Sequence, residues 1–70
     1  MERLRVESSN LESVGYDYKL GTLEIEFKVG SVYQYFNVPA SDFDQLMATP
    51  SKGSYFDEHI KNNYQFQKVL

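Results

Sequence analysis

A chain of 70 residues without cysteine has room for one domain, residues 1–70, whose core neither disulfides nor a thiolate metal site can stabilise. Ten acidic residues outnumber seven lysines and arginines, and the net charge of −3 lacks the basic excess that is typical of nucleic-acid-binding proteins. No apolar run is long enough to span a membrane and the N-terminus has no secretion signal, so we expect a cytoplasmic protein without a membrane partner.

The first half of the chain has the pattern of an antiparallel β-meander. Apolar and polar residues alternate with the period of two that is typical of strands with one buried face. The predicted strands are residues 11–18, 22–28 and 32–38. Gly15 indicates a bulge, or a close approach of another backbone segment, in the first of them. Residues 1–9 form either a short strand or an arm.

The turn between the second and third predicted strands determines how they pair. A two-residue type I′ turn would need a positive φ at Val29, which a β-branched residue resists. A type I turn on Lys28 and Val29, followed by Gly30 in the left-handed conformation, avoids this strain. We therefore predict the second of these turns.

The environment of Tyr33 and Tyr35 follows from that turn. The predicted register sets Tyr33 opposite Ile25 and Tyr35 opposite Leu23. Both rings then lie on the apolar face of the sheet, and Gln34 points away. Six tyrosines and five phenylalanines must also compensate for the small core of so short a chain. The register favours two core tyrosines, and the alternative is an open platform on which nucleic-acid bases stack.

Two short helices are predicted in the second half of the chain. Pro39 ends the third strand, and Ser41 with Asp44 has the spacing of a capping box at the start of the first helix. Pro50 ends that helix, and Ser51 is the expected N-cap of the second.

The chain after the second helix has two interpretations. Asn62 and Asn63 are expected to end the helix, one of them in the left-handed conformation that asparagine tolerates. Residues 64–70 are either a fourth edge strand or an extension packed on the domain. The predicted fold class is α+β, with an antiparallel three-stranded β-meander, or a four-stranded one, packed against two short helices.

The sequence contains no constellation for catalysis or metal binding. His59 is the only histidine, and nothing marks a serine or aspartate that would complete a triad with it. Asp57, Glu58 and His59 are consecutive, so a helix would spread them around its axis instead of directing them at one metal ion. No glycine-rich phosphate-binding motif occurs. We therefore predict a protein that is not an enzyme and has no metal and no cofactor.

Ser51, Lys52 and Gly53 form the most suggestive polar segment. The start of a helix leaves N–H groups unpaired, which attracts anions, while Lys52 adds a positive charge and Gly53 allows close approach. The plainer interpretation is a capped helix with a solvated lysine and a glycine that permits close contact between helix and sheet.

Several short motifs, in their order and spacing, resemble the KTSC domain family over residues 6–64. They are residues 6–9, 15–17, 23–30, 33–35, 38–39, 51–56 and 60–61, and the family's hallmark is the pair of tyrosines separated by one residue. The resemblance implies a domain found at the C-terminus of some lysyl-tRNA synthetases and as single-domain bacterial and phage proteins. RNA binding has been suggested for the family from that association, and no catalytic residues are implied.

Two functions are therefore considered for the chain. The first is an RNA-binding or tRNA-associated accessory module, which the net charge of −3 opposes. Its predicted ligand surface consists of Tyr33, Tyr35, Ser51, Lys52, Gly53, Tyr55 and Lys61. The alternative is a module that binds another protein, or that has a structural role in a bacterial or phage assembly. Phe36, which is predicted to face away from the core, supports this alternative if the tail leaves it exposed.

Overall fold

A computed structural model describes residues 1–70 as a five-stranded antiparallel sheet with two short helices packed on one face. The strand order is the chain order, so every strand pairs with its neighbours in sequence. The elements are β1 (Leu4–Arg5), β2 (Leu11–Asp17), β3 (Thr22–Phe27), β4 (Val32–Tyr35), α1 (Ala40–Ala48), α2 (Lys52–Tyr55), a π-helical segment (Phe56–Ile60) and β5 (Phe66–Lys68). The predicted α+β class is confirmed, and both ends of the chain add an edge strand to the meander.

A bulge near the start of β2 sets which of its side chains reach the core. Leu11 pairs with Phe27 and Ser13 with Glu26, so Glu12 is the extra residue on the β2 side. This insertion lets Leu11 and Val14, which are three residues apart, both be buried in the core.

Gly15 is in close contact with the N-terminal segment of the chain. It pairs regularly with Glu24, so the bulge is not here, and the predicted close approach is the correct alternative. A Cβ atom at position 15 would lie 2.6 Å from the carbonyl oxygen of Glu2, a separation that real Cβ atoms essentially never show. The absence of a side chain at Gly15 therefore allows β1 and the residues before it to lie against the sheet.

Gly15→Ala is expected to destabilise the domain by about 1–3 kcal/mol, because the new methyl group would push away a backbone oxygen. Urea unfolding measures this cost. A chain that begins at Leu4 lacks the Glu2 carbonyl and provides the control, since the same substitution should cost little there. An equal cost in both chains would mean that the contact with Glu2 is not the cause.

The turn between β3 and β4 has the predicted conformation. Gly30 has a φ of 103°, and its N–H donates to the carbonyl of Phe27 at 2.8 Å. The N–H of Phe27 in turn donates to Ser31 at 2.9 Å. The predicted pairs, Ile25 with Tyr33 and Leu23 with Tyr35, are confirmed.

Strand β4 ends at Tyr35, three residues before the predicted end. Asn37 has a φ of 58° and turns the chain out of the sheet, and the N–H of Val38 then donates to the carbonyl of Gly21 at 2.9 Å. Asparagine is one of the few residues that accept this conformation. The strand is therefore ended by Asn37 before Pro39 can interrupt it.

The predicted capping box at the start of α1 is wrong. The helix begins at Ala40, and Pro39 occupies the N-cap position without any side-chain cap. Pro39 has a φ of −63°, which suits the entry to a helix, so Ser41 lies inside the first turn and is exposed. The helix ends at Ala48, before Pro50, as predicted.

The second helix begins after Ser51, as predicted, although the Ser51 side chain makes no cap hydrogen bond. Its continuation is π-helical, since the N–H of Lys61 donates to the carbonyl of Phe56 at 2.9 Å. The prediction of a left-handed Asn62 or Asn63 is wrong, because Asn37 is the one residue other than glycine with a positive φ. Asn63 ends the segment in another way, by donating its side-chain amide to His59 O at 2.7 Å.

The core lies between the sheet and the helices. The helical side contributes Leu46, Phe56 and Ile60, and the sheet side contributes Leu11, Val14, Leu23, Ile25 and Tyr35. Val38 closes one end of the core. None of the helices has the length and apolar character needed to cross a membrane.

The opposite face of the sheet carries a polar network. The carboxylate of Glu24 accepts hydrogen bonds from Arg3 and, at 2.8 Å, from Gln34. Arg3 also donates to Ser13, which donates to Glu26 at 2.7 Å. Burial by itself would raise the pKa of Glu24, but the hydrogen bonds from Gln34 and Arg3 outweigh it and the pKa is lowered. Two of the chain's acidic side chains are thus engaged on the face away from the helices.

Candidate functional site

A cleft of about 380 Å³ lies between the sheet and the π-helical segment, and we call it the aromatic cleft. The five aromatic rings that line it are Phe27, Tyr33, Tyr35, Phe56 and Phe66. They come from β3, β4, β5 and the π-helical segment, so the cleft forms only when these three strands and this segment are packed together.

Strand register brings these rings together. Tyr33 and Tyr35 lie on the same face of β4 with ring centroids 6.4 Å apart, and β5 sets Phe66 directly opposite Tyr35. Phe56 packs under them, 5.3 Å from Tyr35 and 5.5 Å from Phe27. Tyr35 and Phe56 are buried and form the floor, whereas Tyr33 and Phe27 are half-buried and Phe66 is exposed. Phe27, Tyr33 and Phe66 form the walls of the cleft, and the aromatic surface that a ligand could reach belongs to these three rings.

The rim of the cleft is polar. Asp57 contributes its side chain from the π-helical segment, Lys61 and Asn62 from the turn that follows it, and Asn10 from the loop before β2. No intramolecular hydrogen bond or ion pair engages the side chains of Asp57, Lys61 or Asn62. The charges of Asp57 and Lys61 offset each other, so the negative charge of the chain is not concentrated at the cleft.

The hydroxyl of Tyr35 is a further polar group at the floor. It makes no hydrogen bond within the protein. Every fully buried polar side-chain atom of the chain does have a hydrogen-bond partner, so this hydroxyl must be accessible, and Tyr35 lines the cleft. Burial, with smaller effects from Tyr33 and Asp57, raises the pKa of Tyr35 to about 12. The hydroxyl therefore stays protonated at neutral pH and can donate a hydrogen bond to a bound molecule.

The predicted segment of Ser51, Lys52 and Gly53 lies outside the aromatic cleft. It lines a separate polar pocket, in which the Lys52 amine donates to the carbonyl of Thr49 at 2.7 Å. A Cβ atom at Gly53 would lie 2.5 Å from the side-chain oxygen of Asn10, so the glycine permits close contact with the loop before β2. The close contact at Gly53 fits the plainer interpretation of the segment, whereas Ser51 makes no side-chain cap and Lys52 is bonded to Thr49 instead of being solvated. Anion binding there stays a prediction.

Tyr55 lies at a third location. Its hydroxyl donates to Asp42 of α1 at 2.9 Å, and Gln45 is at the same distance. Tyr64, just after the second helix, donates to the other oxygen of the same carboxylate. Tyr55 thus holds α1 and α2 together. Of the predicted surface, the cleft unites Tyr33, Tyr35 and Lys61, and whether these residues bind a ligand stays a prediction.

The residues of the cleft that sequence reasoning missed are Asn10, Phe27, Phe56, Asp57, Asn62 and Phe66. The alternation of Tyr64 and Phe66 in the tail was the only available signal for Phe66, and it becomes informative once β5 is known to pair with β4. No group of three or more histidine, aspartate or glutamate side chains comes together in the manner of a metal site.

Residues 7–64 match the family model of the KTSC domain. The chain belongs to the KTSC domain family. A crystal structure of a KTSC domain protein from Yersinia pestis has the same fold, with a TM-score of 0.93 and 38% sequence identity over 99% of this chain and 97% of that one. The resemblance to this family predicted from the motifs is confirmed.

Relatives of this KTSC domain occur in two contexts. A lysine–tRNA ligase of Nostoc punctiforme is 42% identical over 66 residues, which are 94% of this chain but 12% of that protein. A lysine–tRNA ligase of Trichormus variabilis is 38% identical over 66 residues, which are again 94% of this chain and 12% of that protein. An uncharacterised protein of Stutzerimonas stutzeri is 34% identical over 70 residues, or 99% of both chains. This KTSC domain therefore corresponds to a small part of the ligases and to nearly the whole of another bacterial protein.

Proposed function

We propose that this KTSC domain is a non-catalytic, RNA-associated binding module whose aromatic cleft accepts one unpaired base. The observation that carries the proposal is the combination of accessible rings with polar rim groups that have no partner within the protein. Ligand sites commonly combine an apolar wall with a few such polar groups.

The walls of the cleft suit a flat ring. Tyr33 and Phe66, whose ring centroids are 5.8 Å apart, expose aromatic surface beside a floor that is already sealed by Tyr35 and Phe56. Bases of single-stranded RNA stack on such rings with about 1–3 kcal/mol per base. A base within a duplex is already stacked on its neighbours, so the proposed ligand is an unpaired nucleotide.

Two lysines are available for the phosphates beside a bound base. Lys61 lies on the rim, and Lys68 pairs with Tyr33 across β4 and β5 and so shares its face of the sheet. With only two phosphate contacts, the logarithm of the affinity should fall with the logarithm of salt concentration with a slope of about −1.4. The proposed interaction is therefore weak and short in reach, which is compatible with a net charge of −3.

The relatives supply the reason for choosing RNA. The ligases that contain a segment similar to this chain are named for their action on tRNA, and a binding domain carried by such an enzyme would encounter tRNA at every cycle. The cytoplasmic location predicted from the sequence belongs to the same proposal.

Titration with single-stranded RNA and with tRNA at low salt tests this function. The wild-type domain is expected to bind single-stranded RNA, and Tyr33→Ala should weaken binding by about tenfold or more, because one stacking contact is lost. Lys61→Glu should also weaken binding and reduce its dependence on salt. Tyr18→Ala is the matched control, since Tyr18 is exposed and lies outside the cleft.

Two results would contradict the proposed function. One is the absence of binding tighter than about 10⁻⁴ M, the weak end of nonspecific association. The other is unchanged affinity in both Tyr33→Ala and Lys61→Glu. A loss of affinity in Lys52→Glu alone would transfer the site to the segment that begins at Ser51.

A second function is favoured by the edge of the sheet. Strand β5 pairs only with β4, and exposed apolar side chains of Phe66, Val69 and Leu70 lie on or just after it. A protein partner in a bacterial or phage assembly could extend the sheet at this edge. Phe36, by contrast, is half-buried and its N–H donates to the carbonyl of Gln65 at 2.9 Å, so it does not give this function the support that an exposed Phe36 would have given. Partner binding of this kind would be insensitive to Tyr33→Ala.

A further inference from the structure

Asp57 is the one carboxylate on the rim of the aromatic cleft. It lies at the second position of the π-helical segment, it is exposed, and no hydrogen bond or ion pair within the protein uses it. Asp57 lines the same cleft as Tyr33 and Phe66, whose rings form its walls. A base stacked on the walls would therefore meet this carboxylate at its edge.

We infer that the aromatic cleft prefers guanine and that Asp57 recognises the base through two hydrogen bonds. The preference for guanine rests on the RNA-binding function proposed above. An ionised carboxylate only accepts hydrogen bonds, and its two oxygens match two adjacent donors. Guanine has such a pair in N1–H and the N2 amino group.

The other three bases do not complement a carboxylate in this way. Adenine and cytosine each have one amino donor next to a ring nitrogen that accepts, and uracil has one N–H between two carbonyl oxygens. Each of them would bring an acceptor against a carboxylate oxygen, which is repulsive. The rim also has a donor for the acceptor beside N1–H on the same edge of guanine, since Lys61, four residues after Asp57, can donate to O6.

Five-nucleotide RNAs of uridine with guanine, adenine, cytosine or uracil at the centre test the preference. The guanine oligomer is expected to bind the wild-type domain about tenfold more tightly than the others, within the range of a bidentate contact to a base. Asp57→Asn should remove this preference. Because its amide offers one donor and one acceptor, it can pair with an adjacent donor and acceptor on each of the four bases, so the four oligomers should then bind about equally.

Glu58→Gln is the matched control, because Glu58 is the neighbouring exposed carboxylate and does not line the cleft. It should keep the guanine preference. Equal binding of all four oligomers, with binding still lost in Tyr33→Ala, would overturn the guanine preference and leave the RNA-binding function standing. A guanine preference that persists in Asp57→Asn would overturn the role of Asp57. Failure of every oligomer to bind would overturn both the preference and the function.

Discussion

Phe56→Ala is expected to lower the free energy of unfolding by about 3–5 kcal/mol, the usual cost of deleting a buried aromatic ring. Phe56 is 2% exposed and contacts the rings of Phe27 and Tyr35, so its removal leaves a cavity between the second helix and the sheet. A domain of this length has a total stability of roughly 4–10 kcal/mol. The variant should therefore be close to unfolding at room temperature.

Urea unfolding followed by circular dichroism measures this loss. Leu20→Ala is the control, because Leu20 lies in the turn between β2 and β3 and is 71% exposed, and it should change stability by less than about 0.5 kcal/mol. A cost below about 1 kcal/mol for Phe56→Ala would mean that the floor of the aromatic cleft is open and not sealed by this ring.

Asp42→Ala is expected to cost about 2–4 kcal/mol, although Asp42 is only half-buried. Its carboxylate accepts hydrogen bonds from the hydroxyls of Tyr55 and Tyr64, and bonds to charged groups contribute about 1.5–3 kcal/mol each. The substitution releases both α2 and the segment before β5 from α1. Asp44→Ala is the control, because Asp44 lies on the same helix, is exposed, and meets only Tyr18 at 3.5 Å.

The dependence of stability on pH provides a second readout of this carboxylate. The hydrogen bond to Asp42, together with burial, raises the pKa of Tyr64 to about 12, whereas an unfolded tyrosine has a pKa of about 10. The folded state therefore holds a proton that the unfolded state loses, and the contribution of Tyr64 is complete below pH 10 and lost as the pH rises to about 12.

The wild-type protein should accordingly lose stability between pH 10 and 12 in urea unfolding, and Tyr64→Phe should reduce that loss. Tyr35, whose pKa burial also raises to about 12, leaves a residual loss in the variant. An identical pH dependence in the wild-type protein and in Tyr64→Phe would contradict the bond between Tyr64 and Asp42, as would equal costs for Asp42→Ala and Asp44→Ala.

Local sequence determined the part of the fold that could be predicted best. The steric preference of Val29 and the freedom of Gly30 were enough to set the β3–β4 register, and with it the core-facing positions of Tyr33 and Tyr35. The start of α1 was mispredicted because Pro39, which appeared only to end a strand, also has the φ that a helix entry needs. A proline can either end a strand or begin a helix, and the sequence alone does not show that Asn37 has already turned the chain out of the sheet before Pro39.

The candidate site depended on contacts between distant parts of the chain. Lys61 and the two tyrosines were recognisable by residue type, but Phe66 joins them only through the pairing of β5 with β4. Lys52 was considered either as the cation of an anion site or as a solvated side chain, and its bond to the carbonyl of Thr49 depends on the turn between the helices. Side chains of this kind acquire their neighbours from tertiary structure, which periodicity does not encode.

The strand order also has a consequence for the order in which parts of the domain form. The first four strands are joined by short loops, so the loop-closure entropy lost when they pair is small. Pairing of β5 with β4 instead closes a long loop that contains both helices, which costs more entropy. All three residues of β5 are exposed, and such an edge belongs to the part of a protein that opens most easily. We therefore expect β5 to pair last during folding and to separate first from β4. Phe66 would move with it, so the size of the aromatic cleft would fluctuate while the other four strands stay paired.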